Sequence, residues 1–233
     1  MPDVVKRGYM PSDEKEFIDQ IEKLREAGEE LYYLINRGYQ IKPTSTFVGN
    51  HHLLSERQRL ALVRSVSTKE SIIERQKKEA HSIEDSIVYI DAFNTIITLE
   101  IALSGSTLLS CMDGTIRDMA GLRGTYRIID KTEPAISAIR KVLEAEKARE
   151  AHFLIDAPMS NSGRLSAKIE DKFEDSSVDV VCEVINDVDK NLYGKENVIT
   201  SDAIILDNCV SWFNLTERAI KAEIGDYPFV RII

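Results

Sequence analysis

The stretch Ile87-Val88-Tyr89-Ile90-Asp91 decides how this chain is read. Four successive apolar residues, β-branched or aromatic in type, show no polar alternation, which fits a strand buried on both faces of a parallel sheet. Working downstream, the pattern recurs. Asn94 to Leu103 reads as a helix closed by Ser104-Gly105, and Thr107–Met112 as an edge strand or hairpin arm ahead of Asp113-Gly114. Thr132-Glu133-Pro134 opens a helix toward Arg149, with Ala135, Ile136, Ile139, Val142 and Leu143 on one face. His152–Ile155 is a strand, Ser162–Phe173 a helix, Val178–Val184 a strand and Asp187–Tyr193 a short helix. Val198–Thr200 is a fourth strand, and Thr216–Ile224 a last helix. Strands alternating with helices predict an α/β class with a mainly parallel sheet.

Upstream the period changes. Ser12 before Asp13-Glu14 has the look of an N-cap, and Phe17, Ile21, Leu24, Leu31 and Ile35 recur at helical spacing over 13–35. Residues 38–54, with Pro43, Gly49 and the pair His51-His52, read as loop. Ser55-Glu56-Arg57-Gln58 has capping-box spacing and opens a second helix, and 68–82 forms a third, strongly charged one. The chain therefore divides into an all-helical segment, 1–85, and an α/β segment, 86–233.

Composition narrows the class. The 233 residues are 43% apolar and 30% charged, too apolar for a disordered chain. No run approaches the roughly 18 apolar residues that span a bilayer, so no membrane partner is expected. The N-terminus lacks an apolar signal region, and three scattered cysteines (Cys111, Cys182, Cys209) without CxxC spacing suit reduced thiols in a cytoplasmic compartment. Of the net charge of −9, residues 86–233 supply −8, while 36–64 hold Arg37, Lys42, Arg57, Arg59 and Arg64 against Glu56 alone. A basic segment of that kind can meet a polyanion locally.

The carboxylates carry the chemistry. The first strand ends in Asp91, the second in Asp156, and the fourth runs through Thr200-Ser201 to Asp202. Sites in open α/β sheets gather at the carboxyl ends of the strands. The short helix before the fourth strand adds Asp187 and Asp189. Clustered acids resist joint ionisation unless a cation joins them, and an oxygen-only donor set suits Mg²⁺ or Mn²⁺. The bland reading is that each Asp caps the turn or helix that follows it.

These same residues carry a resemblance. Asp91-Ala92-Phe93-Asn94 looks like the DxxN strand end of the NYN branch of the PIN-like nucleases, and Thr200-Ser201-Asp202 like that superfamily's later T-S-D strand end. The block from Asp113-Gly114 through Gly121 to Gly124 is similar to the region after the first strand in flap endonucleases. The chain as a whole is similar to an uncharacterised family that joins an N-terminal helical domain to such a module. The resemblance implies a PIN-like three-layer sandwich acting as a Mg²⁺- or Mn²⁺-dependent nuclease. It implies Asp91, Asp156, Asp189 and Asp202 as metal ligands, with Asp187 competing for the role of Asp189, and Asn94 orienting Asp91 or a water. The partner implied is nucleic acid, RNA before structured DNA; a binding module without catalysis is the alternative, and a homodimer is compatible with either.

Other signals have two readings each. Ser160 to Arg164 could hold a phosphate at a helix start or form a tight turn. Arg117, Arg123 and Arg127 could touch a nucleic-acid backbone or be solvated. Glu100 could be an outer carboxylate of the site or a helix-surface acid. Met112-Asp113-Gly114-Thr115 resembles the DxDGT of haloacid-dehalogenase-like phosphatases, but Cys111 occupies the nucleophile position, which leaves a DG turn. His51-His52, being adjacent, read as part of the basic loop. Tyr32, Tyr33, Tyr39 and Phe47 could stack on bases or serve core or loop packing.

Overall fold

The computed structural model of the protein describes residues 5–121 and 124–233. Its centre is a four-stranded sheet of β1 (Ile87–Asp91), β4 (Glu150–Asp156), β5 (Asp179–Ile185) and β6 (Val198–Ile199), ordered β5-β4-β1-β6 with every pair parallel. The expected parallel α/β sheet is present. Side chains alternate across it because the strand period is two. Val88, Ile90, Ala151, Phe153 and Ile155 face one side, against helices α5 (Ala92–Leu103), α6 (Thr132–Ala145), α7 (Ser162–Phe173) and α10 (Leu215–Glu223). Leu154 and Val198 face the other, against the short helices α8 (Val188–Leu192) and α9 (Ala203–Asn208) and the buried Trp212. Helices thus flank both faces, giving three layers. No helix among the described residues is long and apolar enough to cross a membrane.

Helix α5 is buried almost all round, as its sequence AFNTIITLEIAL demands. Its one acid, Glu100, is fully buried and paired with Arg7, while Tyr126 Oη donates to it at 2.7 Å and Thr132 also bonds it. That excludes both sequence readings of Glu100, as an outer carboxylate or a surface acid. A short hairpin follows α5, made of β2 (Leu109–Ser110) and β3 (Ile116–Arg117). Its turn is the expected Asp113-Gly114, with Gly114 at φ +85, which a glycine adopts at no steric cost. Asp113 is fully buried between Arg75 and Arg117, and burial pushes the Cys111 thiol up to about 11. Neither is placed for nucleophilic attack.

The helical region departs from expectation twice. The single helix expected over 13–35 is broken: a π-helical turn spans Glu14–Ile18 and α1 runs Ile21–Ile35. Asp13 makes no capping bond; its carboxylate instead takes Arg57 in a two-pronged pair, at 2.5 Å from Nε and 2.8 Å from Nη2. The expected loop 38–54 holds helix α2 (Ile41–His51). Pro43 sits in its first turn, where an N–H would lack an acceptor anyway. Gly49 serves packing, since a Cβ there would stand 2.8 Å from Arg59 Cγ on the next helix, α3 (Glu56–Ser65). The capping box of Ser55 and Gln58 is present, and Thr68 caps α4 (Lys69–Lys78). The helices share their core with the rest of the chain: Leu24, Leu31, Leu62 and Val48 pack with Leu109, Cys111, Val230 and Ile232.

Candidate active site

Strand β1 delivers Asp91 to the carboxyl edge of the sheet, where it also caps α5: Asn94 N donates to Oδ1 at 3.4 Å, and Thr200 Oγ1 to Oδ2 at 2.9 Å. On the neighbouring strand β6, Ile199 is level with Ile90, so Thr200-Ser201-Asp202 emerges beside Asp91. Asn94 ties the two ends together, its Oδ1 accepting from Ser201 N at 2.8 Å and Ser201 Oγ at 2.9 Å. Asp202 caps α9 through Oδ1, which takes Ile204 N at 2.8 Å and Ile205 N at 3.3 Å. On the other flank, β4 places Leu154 level with Asp91, so Asp156 lies two residues, roughly 7 Å, further along. Asp156 is level with Ile185 of β5, which leads through Asn186 and Asp187 to Asp189 in the first turn of α8.

Electrostatically these four acids form a ring. Burial, joined by the charges of Asp202 and Asp156, pushes the Asp91 carboxyl up to about 7 against hydrogen bonds from Thr200 and Asn94. Asp156 is raised by burial and by Asp189; Asp189 is raised by burial and by Asp202 and Asp187. Each acid therefore feels the next around the sheet edge. Among the described residues no Lys or Arg side-chain nitrogen lies within 4 Å of a carboxylate oxygen of any of the four. Asp187, the alternative to Asp189, is exposed and lies 3.7 Å from Lys190 Nζ. The ring is wide: no three of its acids bring oxygens within 4.8 Å of one another, so an ion touching three of them requires side-chain rotation or bridging water.

The basic residues fall differently from expectation. Arg117 is buried; Nε donates to Ser201 O at 2.7 Å, and the other nitrogens bind Arg64 O and Asp113. It braces the Thr200–Asp202 segment from a buried position at the edge of the cleft described below. Arg123 lies outside the described residues. Arg127 and Arg164 are exposed, Arg164 in the first turn of α7. The Ser160 hydroxyl is spent on Tyr126, accepting from its N–H at 2.8 Å and donating to its carbonyl at 2.9 Å, so the Ser160–Arg164 turn is clipped down rather than open to an anion. Of the basic segment 36–64, Arg57 is paired with Asp13 and Arg59 bonds Leu54 O and Asn50. Arg64 alone of these lines the cleft of about 600 Å³ that adjoins the ring at Asp202, with Leu60, Asn94, Ile97 and Ile204, and its guanidinium is held there by Asp118. Tyr33, Tyr39 and Phe47 are exposed, so they are not core residues, while Arg37 lies over the Tyr33 ring.

Sequence reasoning missed Thr200 and Ser201 as the ties that hold Asp91 and Asp202 in register, although both stood in the T-S-D string. It also missed the apolar cleft wall of Leu60, Ile97 and Ile204. A family model described as a Domain of unknown function (DUF5616) matches residues 80–218. The chain belongs to the DUF5616 family. All four acids of the ring fall inside that DUF5616 match, and a second model, Protein of unknown function (DUF434), matches 23–78, the helical region. The Methanocaldococcus jannaschii protein carrying the name Uncharacterized protein MJ0935 is 33% identical over 185 residues, which cover 78% of this chain and 88% of that one. No solved structure matches the chain.

Proposed function

We propose that the DUF5616 domain is a Mg²⁺- or Mn²⁺-dependent nuclease that hydrolyses phosphodiester bonds, of RNA in preference to structured DNA. The observation that supports this reading is a carboxylate ring, with Asp91 buried in it, that no Lys or Arg among the described residues pairs with. Hard oxygen donors around uncompensated charge fit a divalent ion of this kind. Asp91, Asp156, Asp189 and Asp202 would hold it. Bound there, such an ion lowers the pKa of a water and meets the charge that gathers on phosphorus. The chain's own residues do the rest. Thr200, Asn94 and Ser201 fix the spacing of Asp91 and Asp202, and Arg117 anchors the segment from behind. Arg64, held by Asp118 in the cleft wall, would present its remaining donors to the backbone phosphate, and Leu60, Ile97 and Ile204 would give a base an apolar bed. The preference for RNA rests on the similarity of Asp91-x-x-Asn94 to the NYN pattern.

One observation favours the alternative, a nucleic-acid-binding module without catalysis. Asp91 and Asp202 are both helix caps, and the ring is wider than a closed chelate. The two readings part on cleavage of labelled single-stranded RNA and flap DNA with Mn²⁺. The nuclease cuts with Mn²⁺, not in EDTA, and loses at least a hundredfold in rate in Asp91→Asn and Asp202→Asn. Activity that survives both substitutions, or is equal in EDTA, refutes it. Binding without cleavage, falling steeply with salt, selects the alternative.

A further inference from the structure

A second donor cluster lies on the helical region and is built from different chemistry. Glu30 projects from α1, and His51 is the last residue of α2. His52 follows at the C-cap, where φ −86 and ψ 4 depart from helical values. Within a helix, adjacent side chains diverge by about 100° and cannot chelate together. Here the helix ends between them, and the rings stand perpendicular, at 87°, with centres 4.9 Å apart. His52 Nε2 lies 3.0 Å from Glu30 Oε2, and the His52 side chain is only 10% exposed. One ligand atom from each of the three lies within 4.8 Å of the other two, and among the described residues no other such group exists.

These dimensions can be compared with an ion's requirements. With metal–nitrogen bonds of about 2.0–2.1 Å at near-tetrahedral angles, donor atoms stand about 3.4 Å apart and two imidazole centres about 5 Å apart. The observed 3.0 Å and 4.9 Å need little change to meet them. The direct His52–Glu30 contact now occupies the place a cation would take. Above it opens a hollow of about 520 Å³ walled by Tyr33, Leu34 and Phe47. That leaves room for a fourth, water ligand under an apolar rim.

The geometry points to a transition-metal site at Glu30, His51 and His52, of the class that binds Zn²⁺, clipping α1 to the end of α2. Two imidazoles and a carboxylate select Zn²⁺, Co²⁺ or Ni²⁺ over Mg²⁺ and Mn²⁺, so this site is distinct in selectivity from the carboxylate ring and does not rest on the nuclease reading. Because Glu30 and the two histidines lie on separate helices, occupancy stabilises the fold as any ligand of the native state does.

The test is titration of the full chain with Co²⁺, read by the visible absorption of a four-coordinate ion, followed by displacement with Zn²⁺. One equivalent is expected to give the band. Affinity should fall at least tenfold in His51→Asn and in Glu30→Ala and stay unchanged in Asp91→Asn. His51 is exposed and makes no hydrogen bond the fold depends on, so His51→Asn should melt with the wild type in EDTA and lose only the rise in melting temperature that Zn²⁺ gives. Absence of a four-coordinate band, or equal affinity in His51→Asn and wild type, overturns the site.

Discussion

Asp91→Asn should make the metal-free protein more stable, although it removes the residue on which the site depends. The Asp91 carboxyl is buried and pushed from 3.8 to about 7. A folded-state value above the unfolded one means that the fold prefers the proton-bound form. As pH rises past 3.8 the unfolded chain ionises this group while the fold does not, so stability drains away until about pH 7 and is then level. The full loss corresponds to about 4 kcal/mol. Asparagine carries no charge and keeps Oδ1 for Asn94 N, while the Thr200 hydroxyl must turn to accept from the new amide. Setting about 1–2 kcal/mol against the disturbed hydrogen bonds leaves a net gain of about 2 kcal/mol at pH 8. For a chain of this size that is a rise in Tm of roughly 4–8 °C. Thermal and urea unfolding in EDTA at pH 4.5 and pH 8 measure it, and the gap between variant and wild type should open with pH. Adding Mn²⁺ should reverse the order, since the wild type gains about 2.7 kcal/mol at a concentration a hundred times its Kd. A variant less stable than wild type at pH 8 in EDTA would refute the reasoning and make Asp91 an ordinary helix cap.

Arg7→Ala leaves Glu100 buried without its cation and should cost about 3–5 kcal/mol in urea unfolding, more than Glu100 and Arg7 contribute as a pair over apolar replacements. Burial disfavours ionised Asp113, but Arg117, Thr115 and Arg75 outweigh it and hold its carboxyl below the usual range. Its stabilisation is therefore present above pH 3.8 and lost on acidification through the lower folded value, and Asp113→Asn should flatten the acid limb of the stability profile. Ser55→Ala removes the reciprocal cap of α3 and should lower stability by about 1 kcal/mol, with the circular dichroism spectrum unchanged. Asp202→Asn should weaken calorimetric Mn²⁺ binding at least tenfold, about 1.4 kcal/mol, without lowering Tm in EDTA by more than a few degrees.

The α/β segment was legible because its signals are local. Ile87–Asp91 is a continuous β-rich run, and Ser162–Phe173 has Leu165, Ile169 and Phe173 at helical spacing with a small-residue start; both elements lie where the pattern puts them. Helix α2 was hidden because Pro43 and Gly49 read as breakers, while one is harmless in a first turn and the other is required by Arg59 across the helix interface. Helix α9 was hidden by its length, six residues starting directly after Asp202. Charged residues were the hardest to place. The partners of Glu100, Arg57 and Arg117 are Arg7, Asp13 and the Ser201 carbonyl, far away along the chain, and no periodicity encodes such pairs. The acids of the ring were found for the opposite reason. Strand ends in a parallel sheet converge by topology alone, so reading each strand to its last residue brings Asp91, Asp156 and Asp202 to one edge.

The carboxylate ring can be examined directly for the proposed ion. Crystals soaked in Mn²⁺ and measured for anomalous scattering should show a peak enclosed by Asp91, Asp156, Asp189 and Asp202, with the Asp91 and Asp202 side chains turned onto it. Density that is empty there at saturating Mn²⁺, with those carboxylates still committed to capping α5 and α9, would contradict a divalent-ion centre at this sheet edge.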